Sequence, residues 1–147
     1  MDNQPAHVLL VEDNDDHAEL VIRQLSEHSV SARLTRVTDG QEALDYLLRN
    51  GKYTDPAGSP RPHVIFLDLR LPKVDGLEVI KVIKESEELR RIPIVVLTTS
   101  DAERDVTRAY VYHANSYVVK PVDFQTFRDL MHELGIYWLN WNTRSSA

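Results

Sequence analysis

The chain contains no cysteine, which excludes disulfides and thiolate metal sites and suits a reducing compartment. Its five glycines form neither a GxGxxG nor a GxxxxGK[ST] loop, so the phosphate cradles of dinucleotide and nucleotide enzymes are absent. No apolar run approaches the roughly 20 residues of a membrane-spanning helix. The segment Met1 to His7 lacks the basic and apolar regions of a signal peptide. The expectation is therefore a cytoplasmic protein with no membrane partner. Six histidines are present but not at ligand spacing, which argues against zinc. With a formal charge of -6 and no concentrated Lys/Arg run, the electrostatic footprint of a nucleic-acid-binding surface is missing as well.

What remains is a chain of 147 residues with 42% hydrophobic content, long enough to bury a core without staples. Short β-branched runs alternate with stretches of helical period, as in repeated βα units around a parallel sheet. The runs Val8 to Val11, Ala32 to Val37, His63 to Leu67, Ile94 to Leu97 and Tyr117 to Val119 are expected strands. The third does not alternate, as befits a central strand covered on both faces. Expected helices carry Ala18, Val21, Ile22 and Leu25; Ala43, Leu44, Leu47 and Leu48; Val79, Ile80 and Ile83 after Gly76; and Phe127, Leu130, Met131 and Leu134. A weaker helix is expected from about Glu103 to Tyr112. The breaker-rich stretch from Asn50 to Pro62 reads as a loop within one domain. These units predict an α/β fold: a doubly wound, five-stranded parallel sheet of order 2-1-3-4-5, flavodoxin-like, with its ligand crevice outside the carboxyl ends of the strands.

Asp68 closes the run Val64-Ile65-Phe66-Leu67, where packing gives a carboxylate no advantage. Three other runs also end in polar groups: Glu12-Asp13, Thr98 and Lys120. Convergence of three carboxylates favours a proton or a cation, and a hard divalent ion such as Mg²⁺, with Mn²⁺ as a substitute, suits oxygen ligands. Phosphoryl transfer onto a carboxylate needs an in-line oxygen, a metal and donors for the equatorial oxygens. Asp68, Thr98 and Lys120 with the ion would supply those parts. Taken singly, each residue also has an ordinary reading: a helix cap, a strand threonine, a surface lysine. For Asp68 the cap reading weakens because Leu69-Arg70-Leu71-Pro72 delays the next helix, and Asp75 fits that cap better. Near the first helix, Asn14 or Asp15 could cap while Asp13 binds metal.

The segments Val8-Leu9-Leu10-Val11-Glu12-Asp13, Asp68-Leu69-Arg70-Leu71-Pro72 with Asp75-Gly76, Leu97-Thr98-Thr99-Ser100 and Tyr117-Val118-Val119-Lys120-Pro121 resemble the receiver domain of two-component response regulators. The resemblance runs from about His7 to Leu134 and implies a single receiver domain over 1–147, with a C-terminal extension at 135–147 and no output domain. It implies that Asp68 becomes a 4-aspartylphosphate by accepting a phosphoryl group from a sensor histidine kinase. The metal ligands it implies are Asp13 and Asp68 directly, Glu12 through water, and the backbone carbonyl of Arg70. Thr98 and Tyr117 would be the switch pair, Lys120 would pair with a phosphoryl oxygen, and the Lys120-Pro121 bond would be cis. Such a protein is a signalling phosphoacceptor that catalyses only its own phosphoryl transfer and loss.

The 51–62 insert, the stretch Arg91 to Ser100 and the ending Tyr137-Trp138-Leu139-Asn140-Trp141-Asn142 are similar to stand-alone regulators paired with phytochrome-type kinases. Arg70 and Ser100 depart from the common pattern beside the phosphoryl pocket, which leaves the acyl-phosphate lifetime open. Tyr137, Trp138 and Trp141 prolong an apolar stripe, as in a homodimer that also uses the 103–112 helix and the fifth strand. The same residues could instead fold back on their own domain. Two other classes compete. A phosphorylation-independent binding module would not need the full acid, Thr and Lys set. A phosphatase of the haloacid dehalogenase type expects an acid where Arg70 stands.

Overall fold

The computed structural model describes residues 6–27, 32–98, 116–120 and 123–134. Five strands form one parallel sheet: β1 (Ala6–Val11), β2 (Ala32–Val37), β3 (Val64–Asp68), β4 (Ile94–Thr98) and β5 (Ser116–Val119), in the order β2-β1-β3-β4-β5. The helices are α1 (Asp15–Glu27), α2 (Gly40–Leu48), α3 (Gly76–Glu85) and α4 (Phe124–Leu134). The helix expected near 103–112, Ser100, the Lys120-Pro121 bond and the aromatic tail lie outside the described residues.

Strand residues alternate between two cores, following the period of two of a pleated strand. Val8, Leu10, Val64, Phe66, Val95 and Leu97 pack with Ala18, Val21 and Leu25 of α1 and with Phe127 and Leu130 of α4. Their neighbours Leu9, Val11, Ile65, Leu67, Ile94 and Val96 face α2 and α3. Every residue of β3 is therefore buried, and this is why its sequence shows no alternation. The Phe66 and Phe127 rings stack with centroids 5.9 Å apart, tying α4 to the central strand.

Side-chain caps fix the helix starts. Asn14 Oδ1 accepts from His17 N at 3.0 Å, so Asn14 is the cap of α1. Asp39, Asp75 and Asp123 accept from Glu42 N, Glu78 N and Thr126 N. Each such cap contributes about 1 kcal/mol. Gly40 and Gly76 are close-approach positions rather than turns. A Cβ on Gly40 would collide with Val74 O, and one on Gly76 would sit 2.6 Å from Asp68 O.

The helix faces differ from the sequence expectation at two places. Ile22 and Leu48 are 43% and 45% exposed. The buried face of α1 is closed by Gln24, because it centres near Val21 and Ile22 stands about 100° of rotation further round. On α2 the buried aromatic is Tyr46, whose hydroxyl donates to Pro60 O at 2.7 Å. The 50–62 stretch is also more ordered than a plain loop. It holds two short 3-10 turns, Gly51–Tyr53 and Pro56–Gly58, and is pinned to α2 by Tyr53 Oη donating to Glu42 Oε2 and by Arg61 Nη1 donating to Leu47 O.

Candidate functional site

Parity along the strands assembles the site. Glu12 continues the Val8, Leu10 phase just past β1, and Asp68 continues the Val64, Phe66 phase at the end of β3. Both carboxylates thus fall on the α1/α4 side of the sheet, the side on which the chain passes from β5 into α4 through Lys120. The register places Val11 beside Leu67 and Asp68 beside Leu97.

Carboxylate oxygens of Glu12, Asp13 and Asp68 all lie within 4.8 Å of one another. Glu12 and Asp68 are buried, whereas Asp13 is exposed. Such a set suits a hard cation that keeps part of its water shell, since buried acids supply charge and the exposed one leaves an open side.

Lys120 reaches into the same cluster. Its Nζ lies 2.8 Å from Glu12 Oε1 and donates to Asp68 Oδ2 at 2.9 Å. Asp68 Oδ1 accepts from the backbone N–H of Arg70 at 3.0 Å, which orients the carboxylate from the opposite side. Glu12 is tied down by Asn14 N donating to Oε2 and by Arg36 Nε donating to its backbone carbonyl, while its own N–H donates to Val37 O.

One buried ammonium serves two buried carboxylates, and burial dominates the titration of Glu12. Burial pushes Glu12 up from 4.5 to about 7; the Lys120 ammonium lowers it but does not offset burial, and Asp68 adds to the rise. Burial also works against the Lys120 charge. Its pairing with Glu12 and Asp68 outweighs that cost and holds it above the ordinary lysine value. At neutral pH the site therefore sits near the point of exchanging a proton for a cation.

Of the residues singled out from sequence, Glu12, Asp13, Asp68 and Lys120 converge. Thr98 ends β4 and Tyr117 lies in β5, paired with Val96; their side chains lie outside the described residues. Arg70 brings its backbone N–H to Asp68. Sequence reasoning missed His17, whose Nδ1 is 3.1 Å from Lys120 Nζ. The only sequence signal was its position three residues after the Asn14 cap.

A family model described as the response regulator receiver domain matches residues 8–132. The chain belongs to this family. Among curated relatives, the probable methanogenesis regulatory protein FilR2 of Methanothrix harundinacea is 46% identical over 138 residues, covering 94% of this chain and 86% of its own. Response regulator Rcp1 of Synechocystis sp. is 39% identical over 145 residues, covering 99% of this chain and 97% of its own. A solved Mn²⁺-bound form of Rcp1 superposes with a TM-score of 0.74 over 92% of this chain and 95% of that one. The solved phosphorylated cyanobacterial phytochrome response regulator RcpA is 38% identical, with a TM-score of 0.75 over 92% of this chain and 95% of that one. This receiver is a response regulator of two-component signalling, akin to the stand-alone regulators of phytochrome systems, and its acidic pocket has the make-up of a divalent-cation site.

Proposed function

We propose that Asp68 is the phosphoacceptor, receiving a phosphoryl group from a phosphohistidine on a phytochrome-type sensor kinase. The observation that carries this reading is the pairing of Asp68 Oδ2 with Lys120 while Oδ1 is held by the Arg70 N–H. Those contacts present the carboxylate as a fixed, charge-assisted nucleophile at a strand end rather than as a helix cap. In the transfer, an Asp68 oxygen bonds to phosphorus as the P–N bond of the donor breaks, and the departing imidazole takes a proton.

Asp13 and Asp68 would hold Mg²⁺ or Mn²⁺ directly, Glu12 through water, and the Arg70 carbonyl would complete the protein ligands. When bound, the ion neutralises phosphoryl oxygens and the carboxylate cluster. Lys120 stabilises a phosphoryl oxygen, and Thr98 and Tyr117 carry the change to the β4–β5 side of the sheet. Hydrolysis of the acyl phosphate at the same site resets the protein. A single receiver domain over 1–147, acting in the cytoplasm, fits this role.

The test is incubation with acetyl phosphate and Mg²⁺ followed by intact-mass measurement. Wild type gains the mass of one phosphoryl group, and Asp68→Asn does not. Equal masses for the two proteins, with or without Mg²⁺, would remove Asp68 as acceptor. For output we propose a homodimer through the 103–112 segment, β5 and the aromatic tail, supported by Tyr137, Trp138 and Trp141 in the sequence. Light scattering on a chain truncated after Gly135 should then report a monomer, and an unchanged dimer would take the tail out of the interface.

A further inference from the structure

We propose that His17 is a positioning residue for phosphoryl transfer: through Nδ1 it takes an N–H of Lys120 and sets where the ammonium stands relative to Asp68. The inference rests on the reading of Asp68 as acceptor. A lysine ammonium has three donors. Here one donates to Asp68 Oδ2 at 2.9 Å and one meets His17 Nδ1 at 3.1 Å, while Glu12 Oε1 stands 2.8 Å away as an ion-pair partner. Two of the three partners are carboxylates of the acidic cluster. His17 is the imidazole, and it comes from a different element, the first turn of α1.

The backbone of the half-buried His17 is held by the cap of α1. Glu12 Oε2 accepts from Asn14 N, and Asn14 Oδ1 accepts from His17 N. The β1–α1 turn thus links one Lys120 partner to another through two hydrogen bonds. That linkage ties the His17 backbone to Glu12 independently of Lys120.

The chemistry gives the third contact a use. When Asp68 Oδ2 is phosphorylated to the acyl phosphate, its charge moves out onto the phosphoryl oxygens, and the Lys120 N–H that pointed at Oδ2 must follow. Glu12 and His17 are not altered by that step. They are the pivot about which the ammonium turns from carboxylate to phosphoryl oxygen. An uncharged acceptor suits the pivot, since a third carboxylate would pull the ammonium away from Asp68 and a cation would repel it. An ammonium only donates, so the contact requires an acceptor lone pair on Nδ1.

Side-chain geometry supplies the test. Asn carries its Oδ1 on the same branch atom as Nδ1, whereas Gln places its acceptor one bond further out. His17→Asn, His17→Gln and His17→Leu are compared with wild type for the rate of phosphorylation by acetyl phosphate at saturating donor, with Mg²⁺ affinity measured in parallel. Gln and Leu should slow the maximal rate by about tenfold to a hundredfold, the loss of one half-buried hydrogen bond to a charged group. Asn should restore most of it, and Mg²⁺ affinity should stay unchanged throughout. Wild-type rates in both Gln and Leu variants, or an Asn variant as slow as they are, would overturn the role. Leu carries the comparison alone if Gln packs poorly. Wild type against Asp68→Asn in the same assay separates this outcome from failure of the acceptor assignment, because the His17 series is read only as rates of a reaction that Asp68→Asn abolishes.

Discussion

Replacing Glu12 by Gln should make the metal-free protein more stable above neutral pH, an inversion of the usual penalty for removing a buried ion-pair partner. The folded-state pKa of Glu12 is raised from 4.5 to about 7, chiefly by burial. A raised value means that the fold prefers the protonated acid. The corresponding stability is complete below pH 4.5 and is lost as pH rises through about 7. The full loss corresponds to about 3 kcal/mol. Glu12 is 0% exposed, so solvent does not discount it, but the charge is shared with Lys120 and Asp68, so a loss of about 1–3 kcal/mol is the expectation. Gln keeps the shape and cannot ionise. Urea unfolding in EDTA at intervals from pH 5 to pH 8 should show the wild-type midpoint falling relative to that of Glu12→Gln, by about 1 M at pH 8 for an m-value of about 1–3 kcal/mol/M. His7, whose pKa is lowered by burial and by His63, destabilises the fold toward acid in both proteins and cancels in the difference. Mg²⁺ should return the lost stability to wild type, by about 2.7 kcal/mol at a hundred times its dissociation constant. Glu12→Gln should gain less. A variant whose midpoint tracks wild type across the range, or which is the less stable of the two at pH 8, would refute the reasoning.

Two substitutions probe the frame that holds the site. Gly40→Ala should destabilise by about 1–3 kcal/mol, because its Cβ meets Val74 O and must displace the loop after β3. Gly58→Ala, with nothing within 4 Å, is the control, and equal thermal midpoints for the two variants would argue against a close approach at Gly40. Phe127→Ala should cost about 3–5 kcal/mol by emptying the space over Phe66. A loss below about 1 kcal/mol in urea unfolding would mean that α4 is not held to the sheet by this ring.

The apolar runs are legible because a central parallel strand buries both faces, so Val64 to Leu67 can be read without knowing what covers them. Asp75 as the cap of α3 is equally local, since cap and N–H lie three residues apart. Ile22 and Leu48 were misread because a helix stripe shows which residues share a face but not where the neighbouring layer centres it. The two 3-10 turns of the insert escaped notice because Gly and Pro mark chain reversal without fixing its form.

By itself the sequence determined the βα repeat, the strand ends that bear acids and a lysine, and the family motifs that bind them together. Tertiary structure alone decided how one ammonium is divided. Glu12, Asp68 and His17 stand 108, 52 and 103 residues from Lys120 along the chain, and only the strand order brings them around one nitrogen. Their separation in space, and the burial that raises Glu12 while Lys120 stays charged, depend on which neighbours exclude water. Desolvation is a property of the packed site, and no spacing of residues along a chain encodes it.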